Sequence, residues 1–356
     1  MSSPEPAEPA EPAEPSRYRG PLILGLKIAL GLIAIWYFSR LVRRVDWAHV
    51  WASLQLLAIW QIGVLLLVVA LRQTLNATPL SLYVPGLGVP RAVMNDLSAN
   101  LTATVAPPPA DLVLRMAMFR SWGIDTSSGA SGLTLNTLAY YVARFGAPTV
   151  GFLVALAFDG FHPGYAWTAL TGGAIAASIV VGLVLVSRGR KVAAGLGLWL
   201  GNRARRFSKK VDPQQWSDAI ARFQVESSSR LRTQSWRAGV ALLALLLTEG
   251  LLLVLCLRFT GVPGSVAPAW AVLAALLVSY PLTALPFAGL GVLDAAIVTI
   301  LSNENVADPS AIVAALVIWR VGLLLVPLLL GLGSVFIWRR QQPDEADALV
   351  APDDAG

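Results

Sequence analysis

Ionisable side chains interrupt several long apolar stretches of the sequence. A charge at the centre of a membrane-spanning helix costs about 2.5–3.5 kcal/mol on insertion scales, so such residues usually have a structural or functional role. Arg144 and Arg320 have long apolar flanks on both sides, which predicts that they are buried. An ion pair with Asp111 or Asp294 and direct contact with a substrate are both compatible with that position. The candidate charges within apolar stretches are Asp96, Asp111, Arg115, Arg144, Glu249, Asp294 and Arg320.

The same residues also fit less specific roles. Asp96, Arg115 and Glu249 could lie at the membrane interface and extend their charged ends into water. Asp111 and Asp294 each follow a Pro- or Gly-rich break. There an acid either complements the dipole of a starting helix or serves as a proton- or cation-sensitive carboxylate in a wet cavity. No pairing of a nucleophile with a base is recognisable, so the sequence does not indicate an enzyme.

Metal and disulfide chemistry have no basis in the residue spacing. The chain has one cysteine, Cys256, and two histidines, His49 and His162, which are far apart. One cysteine cannot form an intramolecular disulfide, and the histidines lack a metal-ligand spacing. We therefore expect no metal and no cofactor.

The composition places this chain in the membrane. Of its 356 residues, 56% are hydrophobic and 13% are charged, whereas soluble domains average about 45–50% and about 25%. Soluble, fibrous and disordered proteins are thereby excluded. The net charge of +6 is typical of cytoplasmic loops in membrane proteins and does not indicate nucleic-acid binding.

The elements that must position these charges are helices. A spanning helix needs about 20 apolar residues, and six stretches of the sequence are near or above this length. Two further stretches are each split by a break rich in proline or glycine, where a helix should end. The sequence therefore predicts an all-α polytopic membrane protein with about six full spans and two broken, re-entrant hairpins. The predicted spans are 21–39, 58–82, 131–157, 167–187, 237–259 and 310–338, and the predicted hairpins are 93–122 and 270–301.

The two hairpins begin a repeated unit. Pro107 and Pro286 mark the breaks, 179 positions apart, and Arg144 and Arg320 lie 176 positions apart in the helices that follow. Counting spans places the ends of the first hairpin inside the cell and those of the second outside. The repeats should therefore be inverted, with a substrate site between them near the midplane.

Charge bias predicts the domain organisation and orientation. Residues 1–19 form a Pro/Ala/Glu tail, 20–340 the membrane domain, and 341–356 an acidic tail; both tails should be disordered. Residues 188–237 carry twelve basic residues against three acidic ones, which predicts a cytoplasmic loop and cytoplasmic termini. Arg40, Arg43 and Arg44 oppose this orientation but are outnumbered. Aromatic residues within the loop also fit helices lying on the membrane surface.

Two segments resemble signatures of the lysylphosphatidylglycerol synthase transmembrane, or flippase-like, family. In 98–125 the matching residues are Asp111, Arg115 and Gly123; in 280–301 they are Pro286, Gly289, Gly291, Asp294 and Ala295; Arg320 fits the arginine of the last long helix. The resemblance covers roughly residues 20–340. Pro109 and Ala110 stand where the family usually has glycine, and Asp294 where it usually has glutamate. A soluble aminoacyl-transferase domain has no room in this chain, so the resemblance implies that a lipid is translocated and not synthesised.

These observations predict a multi-pass protein of the cell inner (plasma) membrane that moves a lipid or lipid-linked headgroup between leaflets. The expected partners are anionic or phosphate-bearing membrane lipids, together with proteins of envelope biosynthesis, and no nucleic acid. One alternative is a non-transporting accessory subunit of an envelope glycosyltransferase or lipid-modification system. Another is a membrane transferase that acts on a lipid. The expected substrate-binding residues are Asp111, Arg115, Arg144, Asp294 and Arg320.

Overall fold

The structure is a computed structural model that describes residue 55 and residues 57–208, 211–302 and 310–341. Within these ranges the chain forms helices and turns and contains no strand. The predicted first span, 21–39, and the tail 1–19 lie outside the described residues, as does nearly all of the tail 341–356. In chain order the helices are α1 (Ile59–Tyr83), α2 (Val89–Val105), α3 (Ala110–Ser121), α4 (Thr126–Phe158), α5 (Pro163–Ser187), α6 (Arg190–Arg205), α7 (Pro213–Phe259), α8 (Ala269–Ser279), α9 (Pro286–Gly289), α10 (Val292–Leu301), α11 (Ser310–Arg320) and α12 (Val326–Arg340).

Five helical segments in the described ranges are long and apolar enough to cross a membrane. They are α1, α4, α5, α7 and the continuous segment formed by α11, a π-helical turn (Val321–Leu325) and α12. Each corresponds to a predicted span, and the boundaries of α1 and α5 lie within four residues of the predicted ones. The protein is therefore an all-α, multi-pass membrane protein, as the sequence predicts.

Helices α1 and α7 run antiparallel, which contacts at the two ends of the bundle show. At one end, Trp60 of α1 packs edge-to-face on Phe259 of α7, with ring centroids 5.5 Å apart. At the opposite end, Arg230 of α7 donates to the carbonyl of Tyr83 at 3.1 Å. We call the end with Tyr83 the basic end, because helix α6 with its arginines also lies on that side.

The two broken hairpins enter the bundle from opposite ends. The C-terminus of α3 is at the basic end, where Trp338 Nε1 donates to the Ser121 hydroxyl at 2.9 Å. The N-terminus of α8 is at the other end, where Trp270 stacks on Phe158 with centroids 5.8 Å apart. This is the inverted arrangement that the repeat predicts.

Glycine makes the second break possible. After α8 the chain forms a 3₁₀ turn (Tyr280–Ala284), then α9, before α10 begins. Gly289 has φ +70, and a Cβ there would lie 2.4 Å from the carbonyl oxygen of Leu282. Gly291 has φ +84 and open space around it. Both positions require the left-handed backbone region that glycine adopts at no steric cost.

The basic segment 188–237, predicted as a loop whose aromatic residues also fit helices, is helical over most of its described residues. It consists of α6 and the first half of α7, packed against each other. A Cβ on Gly197 would lie 2.6 Å from Cα of Ser217, so the two backbones are in close contact. Helix α7 starts at a capping signal, because the Asp212 carboxylate accepts from the amide of Gln214 at 2.9 Å and proline stands at the first helical position. Hydropathy reveals only the apolar half of this 47-residue helix.

Candidate functional site

A cavity of about 490 Å³ lies between the two broken hairpins. Its volume is in the range of about 300–1,000 Å³ that is usual for small-molecule sites. Both hairpins line it, together with α1, α4, α7 and α11, so it lies at the interface of the two repeats. The charged residues in its wall are Arg72, Asp96, Arg115, Arg144, Glu249 and Arg320.

The first ion pair in the wall joins α1 to α7. Arg72 Nε and Nη2 both donate to Oε1 of Glu249, at 2.9 and 2.6 Å. Arg72 Nη1 also donates to the side-chain oxygen of Gln73. Glu249 is 3% exposed, and a carboxylate buried so far is retained only with a charged partner. This pair fixes two spanning helices to each other at the cavity wall.

The second ion pair joins α3 to α2. Arg115 Nη2 donates to Oδ1 of Asp96 at 2.9 Å, and its Nη1 donates to Oδ1 of Asn95 at 2.9 Å. The other oxygen of Asp96 accepts from the amide of Asn76 on α1, at 2.6 Å. Tyr140 on α4 donates to the main-chain carbonyl of Asn76 at 2.6 Å. The network thus connects the first hairpin to two spanning helices.

The third ion pair closes the second hairpin onto α11. Arg320 Nε donates to Oδ1 of Asp294 at 2.8 Å, and its Nη1 donates to the carbonyl of Ala288 in the break at 3.1 Å. Asp294 Oδ2 accepts from the amide of Gly291 at 2.7 Å and so caps α10. Nη2 of Arg320 is buried without a hydrogen-bond partner among the described residues. An arginine with an unused N–H can donate to a further acceptor.

Arg144 differs from the other three arginines. Its guanidinium lies over the ring of Tyr141, 5.8 Å from the centroid, and no carboxylate of the described residues lies within 4.0 Å of it. Four arginines line the cavity, and three carboxylates pair with the other three of them. The site therefore carries a formal excess of one positive charge, located in the first repeat.

The ion pair between Arg144 and Asp111, one of the pairings considered from the sequence, is not formed. Asp111 is in the first turn of α3 and does not line the cavity. The repeat explains why the first half lacks a matching acid. Arg115 comes eight residues after Pro107, and Asp294 comes eight residues after Pro286. The position that holds the acid in the second half holds another arginine in the first.

The structure brings together most of the residues singled out in the sequence. Arg115, Arg144 and Arg320 line the cavity. Asp294 does not line it but forms an ion pair with Arg320. Sequence reasoning did not place Arg72 in the site. The available signal was the polar cluster Arg72, Gln73 and Asn76 within an apolar span, together with a second charge, Glu249, in another span.

Among the described residues, no group of three His, Cys, Asp or Glu side chains could hold a metal ion. Three of the four arginines in the wall form ion pairs, and Arg144 has no carboxylate partner among the described residues. The arrangement is suited to binding an anion and holding it away from bulk water.

Comparison with known proteins agrees with this architecture. A family model described as "Lysylphosphatidylglycerol synthase TM region" matches residues 22–331, which includes both hairpins and every residue of the cavity wall. No match is found among curated proteins. The matched segment makes up most of the chain, and the protein belongs to the family of the lysylphosphatidylglycerol synthase transmembrane region.

Proposed function

We propose that this protein translocates a lipid, or a lipid-linked headgroup, between the two leaflets of the plasma membrane, with both termini in the cytoplasm. The observation that carries the proposal is Arg144, a cation in a membrane cavity with no carboxylate partner among the described residues. No covalent bond is made or broken in this process, so the protein acts as a transporter and not as an enzyme. Its partners are anionic or phosphate-bearing lipids, and proteins of envelope biosynthesis are further candidates.

The position of the cavity supports translocation. Discontinuous helices of transporters place substrate sites at the interface of inverted repeats. Here one hairpin enters from each end of the bundle, and both contribute to one polar wall. A headgroup in this cavity would contact both halves at once. A movement of one half relative to the other would then change the side to which the headgroup is exposed.

The charge of the cavity supports a phosphate-bearing substrate. A phosphate that leaves water loses its hydration and needs replacement hydrogen bonds. Guanidinium supplies these bonds in a planar fork and keeps its charge. Among the described residues, Arg144 has no carboxylate or hydrogen-bond partner, and Arg320 has its Nη2 donor unused. These two arginines come from different repeats and line the same cavity, and we propose that they bind the phosphate together.

Lipid scrambling in proteoliposomes tests the proposal. Fluorescent phospholipids with several headgroups are reconstituted with the protein, and the fraction accessible to an external quencher is followed with time. Arg144→Ala and Arg320→Ala should each slow scrambling by roughly ten- to hundredfold, because each removes a charge-assisted hydrogen bond. Arg144→Lys should also be slow, because an ammonium lacks the fork.

The matched control is Arg120→Ala. Arg120 is exposed on α3 and does not line the cavity, so its loss should leave the rate unchanged. Thermal unfolding in detergent establishes that each variant is folded. Wild-type rates in folded Arg144→Ala and Arg320→Ala proteins would refute the proposal.

A further inference from the structure

A second concave site lies on the other side of α4 and α7. This apolar groove, of about 510 Å³, is formed by α4, α5 and α7. Its wall is made of small and aliphatic side chains, including Val142, Gly146, Leu183, Gly239 and Leu243. Leu243 is 45% exposed, so the groove is open on the surface of the bundle, where the acyl chains of the membrane lie.

The groove is separated from the polar cavity by a narrow seam. Ala143 of α4 and Leu242 and Leu246 of α7 line both spaces. These three side chains separate the groove from the cavity.

Polar groups are confined to one end of the groove, at the basic end of the bundle. Arg232 Nη2 donates to the carbonyl of Ser187 at 2.8 Å, and the Tyr83 hydroxyl donates to Ser235 at 3.4 Å. Arg232 is exposed, and its Nε and Nη1 have no hydrogen-bond partner among the described residues. Among the described residues that line the groove, Arg232 is the one that carries a charge, and none is a carboxylate.

We propose that this groove binds a phospholipid of the adjacent leaflet, with one acyl chain along α4, α5 and α7 and the phosphate at Arg232. The apolar groove, with the cation Arg232 at its end, is complementary in polarity and charge to an amphiphile with an anionic headgroup. Arg232 can donate to a phosphate oxygen through Nε and Nη1 while Nη2 keeps its bond to Ser187. The basic residues of α6 and α7 on the same side attract anionic lipid to this surface. The site is independent of the translocation proposed above.

Photolabelling of the full chain in detergent tests the proposal. The probe is phosphatidic acid with a diazirine in one acyl chain, and the comparison probe is diacylglycerol with the same chains. Phosphatidic acid should label groove residues of α4, α5 and α7, identified by mass spectrometry of the digested protein. At limiting probe concentration, diacylglycerol should label them roughly tenfold less, because it lacks the group that Arg232 binds. Arg232→Gln should reduce phosphatidic acid labelling to the level seen with diacylglycerol.

Filling the groove provides a second test with a matched control. A Cβ on Gly239 meets no atom within 4 Å, so Gly239→Phe places its ring in the groove without a backbone clash and should abolish labelling there. Gly63→Phe is the control, because Gly63 on α1 is equally unobstructed and lies outside the groove. It should leave labelling unchanged.

Three results would overturn the proposal. They are labelling spread over the whole apolar surface, equal labelling by the two probes, and groove labelling that survives Gly239→Phe. A dimer that Gly239→Phe disrupts, without lipid label in the groove, would show instead that a second copy of the chain occupies it. Scrambling by the Arg144 variants is measured separately, so either proposal can fail without the other.

Discussion

Removal of one partner from the pair between Arg72 and Glu249 should destabilise the protein more than removal of both. In Glu249→Leu, the Arg72 guanidinium loses both hydrogen bonds to Oε1, at 2.9 and 2.6 Å, and stays in a largely buried position. Breaking a buried ion pair in this way costs about 3–5 kcal/mol, because a charge is left uncompensated. The melting temperature in detergent should fall by several degrees.

The double variant Arg72→Met/Glu249→Leu is the informative partner of this experiment. Apolar replacement of a whole buried pair is often neutral or stabilising, so its melting temperature should return close to that of the wild type. The coupling energy from the double-mutant cycle should then be about 3 kcal/mol or more. Additive effects of the two single changes would show that Arg72 and Glu249 do not stabilise the α1–α7 contact as a pair, and would refute the reasoning.

Three further outcomes are expected. Gly289→Ala should lower the melting temperature more than Gly291→Ala, because only Gly289 also faces a carbonyl at 2.4 Å; equal effects would mean that backbone conformation alone matters. Cysteines at Ser208 and Ser302 should react with impermeant reagents from opposite sides of the membrane, and labelling from one side would contradict the inverted repeat. Asp125 is the N-cap of α4, and hydrogen bonds from the Ser127 hydroxyl and from backbone amides lower the pKa of its carboxyl below the ordinary 3.8. The stabilising contribution of this N-cap is therefore present above pH 3.8 and lost as the pH falls below it, so Asp125→Asn should flatten the acid-side decline of the melting temperature.

The sequence predicts the elements of this fold well, because its signals are local. Proline and glycine mark both breaks, and apolar length marks the spans. The start of α7 was missed for a physical reason. From Pro213 to Arg237 the sequence contains no further proline or glycine, so nothing ends the helix, yet this half is polar and a hydropathy criterion does not detect it. A helix can continue beyond the membrane when it is capped and packed, as Gly197 allows here.

The site was harder to predict than the fold, because its contacts are long-range. Arg72 and Glu249 are 177 positions apart, and nothing in the local sequence of either residue identifies its partner. Asp294 and Arg320 are only 26 positions apart and belong to one repeat, so their contact follows more readily from the repeat itself. The two repeats also differ, since the first has Arg115 where the second has Asp294, and the pair between Arg144 and Asp111 that the sequence allowed is not formed.

That departure from symmetry gives the cavity its charge. If the first repeat had an acid at position 115, as the second has Asp294, each repeat could supply its own arginine with a partner and the wall could be neutral. With Arg115 there instead, Asp96 pairs with Arg115, and Arg144 has no carboxylate partner among the described residues. An unpaired guanidinium at membrane depth is costly unless water or an anion reaches it. The second repeat offers one buried unused donor, on Arg320. An anion bound between the two would relieve both costs at once, and it would be held by one residue from each half of the molecule.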